Sequence, residues 1–402
     1  MTAIQIGLEA LCDSRSDIVR STERIGVLMN QASVDLTGHY ACDLIAHRFP
    51  NRVRAIFSPQ HGLWGEEQAN MIETGHSTYP PLDVPLFSLY SATRRPTPEM
   101  LDRIDTLIID LQDVGTRVYT FIWTLLNCME ACAERKVRVV VLDRPNPLGG
   151  KQFQGPILHS DYRSFVGLLE IPMRHGLTIG EFAKLAKRRM QLDVELEVVA
   201  MEGWQRKMTY PNCHRPWILP SPNMPGYRTV RVYPGGVLLE GTNISEGRGT
   251  TVPFEVVGAP FIDEFRLASY LNRLGLDGVH FRPTRFRPTF DKWRGESCRG
   301  VWIEVIDEER FDAYRSTIHL LAAVRNLFSD SLQWLPPPYE YETVKPPIDI
   351  LNGSDRTRLA FDSGCTLDEL DQLAMLECRV GGNEIEDKGC IGNGWDMLRS
   401  IL

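Results

Sequence analysis

No basic excess marks this chain of 402 residues: 44 basic side chains face 52 acidic ones, a net charge of −8. That balance argues against nucleic acid or an anionic membrane surface as the main partner, since both select basic patches. No apolar run approaches the roughly 20 residues of a membrane span. The opening stretch MTAIQIGLEALCDSRSDIVR lacks a basic segment followed by an apolar one, so no secretory signal is expected and the cytoplasm is the default compartment. Nine cysteines fall at 12, 42, 128, 132, 213, 298, 365, 378 and 390. They are odd in number, irregular in spacing and never C-x-x-C, which predicts neither a disulfide framework nor a zinc ribbon. Cys128 and Cys132, one helical turn apart, are expected to be buried core thiols. No G-x-G-x-x-G follows the first strand, and neither a G-x-x-x-x-G-K-[ST] loop nor an H-E-x-x-H pair occurs, so dinucleotide, P-loop and zincin chemistry have no support. No internal repeat or low-complexity segment is visible.

What is present is ordinary globular composition, 43% hydrophobic and 24% charged, at a length that suits two domains. Short β-rich runs lie at IGVLMN (25–30), VRAIFS (53–58), VPLFSLY (84–90), TLIIDL (106–111) and VRVVVLD (137–143). Helix-like stretches separate several of them, which implies βαβ units and a parallel sheet covered on both faces. Residues 1–230 are therefore expected to form a Rossmann-like, doubly wound α/β domain carrying most of the active-site rim. Residues 231–402 are expected to form a smaller α+β domain that closes the cleft. Thr178 and Glu181 have the spacing of a capping box at the start of LTIGEFAKLAKRRM. The passage HRPWILPSPNMPGYRTVRVYPGG (214–236) is too rich in Pro and Gly for regular structure and reads as a functional loop or domain connection.

In open parallel sheets the ligand crevice lies beyond the carboxyl ends of the strands. There the chain carries Asn30-Gln31, Ser58-Pro59-Gln60-His61-Gly62, Ser88 and Tyr90, Asp110-Gln112-Asp113, and Asp143-Arg144-Pro145-Asn146-Pro147. Single Asp or Asn residues in such places often cap turns, but five polar strand ends on one rim favour a pocket. His61 is a candidate donor or general base, with Glu66 and Glu67 on the glycine-punctuated stretch after it. Asp110 and Asp113 can form a carboxylate pair, or one of them can cap the helix expected near Thr116. Arg117 offers a fork for a carboxylate, with Tyr119 beside it, and Asp143 with Arg144 can form an ion pair. Prolines on both sides of Asn146 stiffen that loop. The second half adds Asn223 in PSPNMP, and Glu240, Asn243, Glu246 and Arg248 in a glycine- and hydroxyl-rich loop suited to a polar ligand.

Seven strings, HGLWGEEQA, DLQDVGTRVYTF, VLDRPNPLGG, HGLTIGE, PSPNMP, EGTNISEGRGTTVPFEVVGAP and PPYEYE, run in order along nearly the whole chain. Together they resemble the exo-β-N-acetylmuramidase family of glycoside hydrolases. The resemblance implies a cleft between two domains and release of N-acetylmuramic acid from non-reducing ends of peptidoglycan fragments. It also implies that no metal or nucleotide cofactor takes part. Members usually carry Pro-Glu-His-Gly where this chain has Pro59-Gln60-His61-Gly62, and that glutamate is the expected general acid. An amide cannot deliver a proton to a leaving oxygen, so Gln60 is expected to bind substrate instead. Glu66 or Glu67 is the expected replacement acid and Asp113 or Glu246 the second carboxylate, with Glu240 a further candidate. Arg117, Arg144 or Arg248 is expected to hold the lactyl carboxylate of an amino-sugar or muropeptide substrate. Two alternatives stay open at this point: a catalytically impaired sugar-binding protein of the same fold, and a glycosidase of altered specificity. Oligomeric state has no signal in the sequence.

Overall fold

The computed structural model describes residues 3–13, 18–68, 71–329 and 331–374. Strands β1 (Ile25–Met29), β2 (Val53–Ser58), β3 (Ser77–Tyr79), β4 (Val84–Ser88), β5 (Thr106–Asp110) and β6 (Arg138–Leu142) come first. The strands β7 (Gln154–Ile157), β8 (Pro172–Arg174) and β9 (Leu196–Val199) follow. Seven of these make one sheet in the order β3-β4-β2-β1-β5-β6-β9. Only β3 pairs antiparallel; β4, β2, β1, β5, β6 and β9 run parallel. The five strands expected from sequence are all there.

Alternation along the strands explains why helices cover both faces. In β1, Ile25, Val27 and Met29 join a core with Cys42, Ile45, Ile56, Ile108 and Val140. Leu28, with Ala55, Phe57, Leu107, Ile109, Val139 and Val141, faces the other way into a second core. A period of two with apolar residues in both phases is what a strand buried on two faces requires. Helices Gly7–Asp13 and Ala41–Arg48 feed the first core, and Phe121–Arg135 and Ile179–Arg189 the second. Thr178 and Glu181 form the expected capping box. Cys128 and Cys132 are buried, and burial pushes the Cys132 thiol up to about 12, leaving it unreactive at neutral pH. Cys378 and Cys390 lie outside the described residues.

The chain then builds an antiparallel sheet from β10 (Val256–Ala259), β11 (Val279–Phe286) and β12 (Cys298–Val305), in the order β10-β12-β11. Helices Glu264–Arg273 and Ala313–Leu327 contribute to the same buried cluster as the parallel sheet. One expectation is corrected here. The end of the proline-rich passage is a helix, Tyr227–Gly236, with Pro234 inside it, followed by a short 3₁₀ segment Val237–Gly241. Pro234 cannot donate an i→i−4 hydrogen bond, and the α-helix ends two residues later. Tertiary packing supplies the rest. A Cβ on Gly235 would lie 1.9 Å from the Ala313 carbonyl oxygen and 2.5 Å from Thr317 Oγ1, so glycine lets two helices meet backbone to side chain. Gly235→Ala therefore cannot be absorbed by a rotamer change. It is expected to destabilise the fold by about 3 kcal/mol, the upper end of ordinary overpacking, read as a lower urea midpoint with an unchanged slope.

Candidate active site

A cavity lies against the segments that follow β2 and β5, the two neighbours of β1 in the sheet. The loop after β2 supplies Gln60 and His61, and the segment after β5 supplies Val118 to Phe121. Later parts of the chain close it with Ser221, Asn223, Tyr233, Glu240, Arg248, Tyr339 and Glu340. The enclosed space is about 30 Å³, room for about one ordered water, so a sugar ring enters only if the walls part.

Glu340 is the group that the residue-by-residue reading of the sequence did not single out, although the string PPYEYE contains it. Its side chain is held at both oxygens. Gln60 Nε2 donates to Oε1 at 3.3 Å, and the Tyr90 hydroxyl donates to Oε2 at 3.0 Å. The Gln60 amide is oriented by Thr120, whose hydroxyl donates to Gln60 Oε1 at 2.8 Å. Burial raises the Glu340 carboxyl above the ordinary range; the Tyr90 and Gln60 hydrogen bonds oppose this, while the Glu240 charge adds to it. Glu340 and Tyr341 both have positive φ, 43° and 70°. Two consecutive non-glycine residues in that region are strained, and such strain concentrates where a side chain must be aimed.

Glu240 stands in a contrasting setting. Arg248 donates to its Oε1 at 2.7 Å and the Tyr339 hydroxyl to its Oε2 at 2.7 Å. Arg248 also pairs with Glu246 at 3.3 Å, and Lys292 reaches Glu246 at 2.6 Å. Lys292 further donates to the carbonyls of Leu239, Thr242 and Ile244, pinning the loop that carries both Glu240 and Arg248. The flanking carboxylates push the Arg248 guanidinium up, outweighing burial. One carboxyl favoured as the neutral acid beside another paired with a permanent cation is how one fold separates acid and base roles.

His61, at φ 73°, contacts the Glu67 carbonyl through Nδ1 at 2.7 Å. Burial lowers its imidazole to about 4, so the ring is neutral near pH 7 and Nδ1 must carry the proton it donates. Nε2 is then an acceptor. Tyr119 and Asn223 also line the cavity, Asn223 donating to the Gln68 carbonyl at 2.8 Å.

The remaining candidates are held elsewhere. Glu66 is exposed and Glu67 meets His61 through its backbone, and neither side chain lines the cavity. Asp110 pairs with Arg144 through two contacts, at 2.6 and 2.7 Å; this replaces the expected Asp143–Arg144 pair. Asp143 instead accepts from the Gly180 N–H and the Thr178 hydroxyl, and burial raises its carboxyl to about 6. Asp113 accepts from the Gly115 N–H at 2.6 Å and lies 3.3 Å from His175, so the expected Asp110–Asp113 pair does not form and the helix starts later, at Phe121. Arg117 is fully buried, its terminal nitrogens donating to the carbonyls of Pro156, Ile171, Leu351 and Asn352. Asn146 bridges Leu148 N and the Leu177 carbonyl, and Asn243 bridges Ser331 and Gln333. Glu246 is buried under Arg248 and Lys292, outside the cavity lining. Among the described residues no group of three or more His, Cys, Asp or Glu side chains is placed to hold a metal ion.

Comparisons with known proteins follow the same lines. The sequence matches the family described as exo-β-N-acetylmuramidase NamZ, its N-terminal part over residues 25–228 and its C-terminal part over residues 231–379. Over 332 residues it is 43% identical to peptidoglycan β-N-acetylmuramidase NamZ of Bacillus subtilis (strain 168), spanning 83% of this chain and 80% of that protein. Among solved structures, a DUF1343 family protein (BF0371) of Bacteroides fragilis NCTC 9343 superimposes with a TM-score of 0.84 at 30% identity, covering 100% of this chain and 98% of that one. A second protein of that organism, BF0379, gives 0.71 at 28% identity over 92% and 94% of the two chains.

Proposed function

The chain belongs to the exo-β-N-acetylmuramidase family, and from that premise we propose that it is a glycoside hydrolase releasing N-acetylmuramic acid from the non-reducing ends of peptidoglycan fragments, with Glu340 as its general acid. The observation that carries the assignment of the acid is the buried Glu340 carboxyl held between Tyr90 and Gln60. As the bond from the anomeric carbon to the leaving oxygen breaks, Glu340 delivers its proton to that oxygen. Water then adds to the anomeric carbon, and its proton passes to a carboxylate. Glu240, kept beside the Arg248 cation, is the second carboxylate facing the oxocarbenium-like transition state. Gln60 acts by positioning: its amide orders the Glu340 oxygen without adding a second charge. Asp113 and Glu246 are not used in this scheme, nor are Glu66 and Glu67. Arg117 and Arg144 are spent on carbonyls and Asp110, and Arg248 on two carboxylates. Neutral groups in the cavity lining, the Tyr119 hydroxyl beside Ser221 and the Asn223 amide, are therefore assigned to the lactyl group.

Gln60 favours one competing assignment, a sugar-binding protein that has lost its acid. The two part on a single disaccharide, N-acetylmuramyl-β-1,4-N-acetylglucosamine. A hydrolase using Glu340 releases N-acetylmuramic acid from it in the native form. A degenerate binder shows calorimetric binding without turnover, and gains turnover in Gln60→Glu. No helix among the described residues is long and apolar enough to cross a membrane. A cytoplasmic location, meeting fragments rather than intact wall, is supported by the free buried thiols Cys42, Cys128, Cys132, Cys213 and Cys298, which suit a reducing compartment.

A further inference from the structure

We propose that Tyr341, Phe165 and Arg94 form a ledge that binds the leaving sugar, an uncharged pyranose; the inference rests on the hydrolase assignment above. Two short segments each send one residue into the cavity and an adjacent one onto this ledge. Val166 and Glu340 line the cavity, whereas Phe165 and Tyr341 are their chain neighbours outside it. The Tyr90 ring forms the base, 5.7 Å from Phe165 and 6.1 Å from Tyr341, while its hydroxyl holds Glu340. The ledge and the acid therefore share one support.

The Arg94 guanidinium lies 4.4 Å from the Tyr90 ring centre and 4.1 Å from that of Tyr341. Such stacking fixes the Tyr341 ring in place, yet Tyr341 remains 49% exposed. A rigid aromatic ring left open to solvent beside a polar cavity is well suited to the C–H face of a pyranose. What covers it follows from the chemistry. The acid must reach the oxygen joining the two sugars, so the residue that departs lies on the acid's side of the broken bond. Charge narrows the ligand further. Arg94 pairs with Glu73 at 3.0 Å and donates to the Ser91 carbonyl. The Glu73 carboxylate balances that cation, so the ledge carries no excess positive charge to favour an anionic sugar. A neutral hexopyranose fits such a ledge.

The test compares two substrates that share the muramyl ring: the muramyl–N-acetylglucosamine disaccharide and N-acetylmuramyl fluoride, whose leaving group has no ring to stack. In Tyr341→Ala the ratio of kcat/KM for the disaccharide to that for the fluoride is expected to fall about 10-fold, the scale of one aromatic contact. Tyr341→Phe restores the ratio, and inhibition by free N-acetylglucosamine weakens in Tyr341→Ala by a similar factor. The alkaline limb of the pH profile is expected to stay where it is. A shifted limb with an unchanged ratio overturns the ledge, because Tyr341 would then only hold Glu340 in place. An unchanged ratio and unchanged inhibition in a variant that turns over both substrates overturns the ledge alone. Native protein that hydrolyses neither substrate overturns the hydrolase assignment, and the ledge as a leaving-sugar site falls with it.

Discussion

Glu340→Gln is expected to lower kcat on the disaccharide by about 10²–10⁴-fold, the usual contribution of general acid catalysis. The variant is close to isosteric, so Tyr90 and Gln60 keep a polar partner and the fold is expected to survive. Substrate binding is expected to remain, since only the transferable proton is removed. The pH profile supplies an independent check. A general acid must be protonated, so activity is present below the raised ionisation of Glu340 and falls as pH rises through it. His61, lowered to about 4, stays neutral across that range and cannot supply this limb. Stability follows the same direction: a carboxyl with a raised folded pKa favours the fold at low pH and loses that contribution as pH rises through it. In Glu340→Gln both trends disappear. Turnover at the native rate, with the alkaline limb intact, would remove Glu340 from the mechanism and return the proton to another carboxyl.

Removal of Arg248 is expected to have the largest structural effect. Its guanidinium lies between Glu240 and Glu246, all three groups buried. Arg248→Met leaves Lys292 to neutralise Glu246 but takes from Glu240 the guanidinium that pairs with its charge. Stranding a buried charge in this way costs about 3–5 kcal/mol, read as a drop in the urea midpoint. Because that variant can fail to fold, Arg248→Lys gives the second measurement. A lysine keeps one positive charge but has no fork to bridge two carboxylates. It is expected to retain the fold with reduced kcat, since the Glu240 carboxylate is no longer held in one orientation. An Arg248→Met protein as stable and active as the native one would show that the pairing does nothing for either property.

Local signals were legible where a single segment decides its own structure. The strands around Val27, Ile56, Ile108 and Val140 carry apolar residues in both phases of the period-two repeat, which only a doubly covered parallel sheet can bury. Thr178 and Glu181 announce a helix start because their reciprocal hydrogen bonds lie within one turn. Helix Tyr227–Gly236 was hidden because its stability comes from contact with Ala313 and Thr317, far along the chain, against a composition that opposes helix. Charged residues misled for a related reason. Asp110, Asp143 and Arg144 sit at strand ends as ligand-binding residues do, yet buried charges need partners, and these found protein partners.

The absences that opened the sequence, of basic patches, of paired cysteines and of nucleotide loops, together with its strand and helix periodicities, determined the class of fold. The ordered strings along the chain determined the family, and the amide at Gln60 could be read without any structure. The carboxyl proposed in place of the missing acid could be picked out only from the tertiary structure. Glu340 lies 280 residues from Gln60, and no local pattern records that the two side chains meet. Burial raises one carboxyl, a neighbouring guanidinium keeps another paired, and a tyrosine and a glutamine aim the first. Each of those effects depends on the distance between side chains in space, and separation along the chain does not specify it.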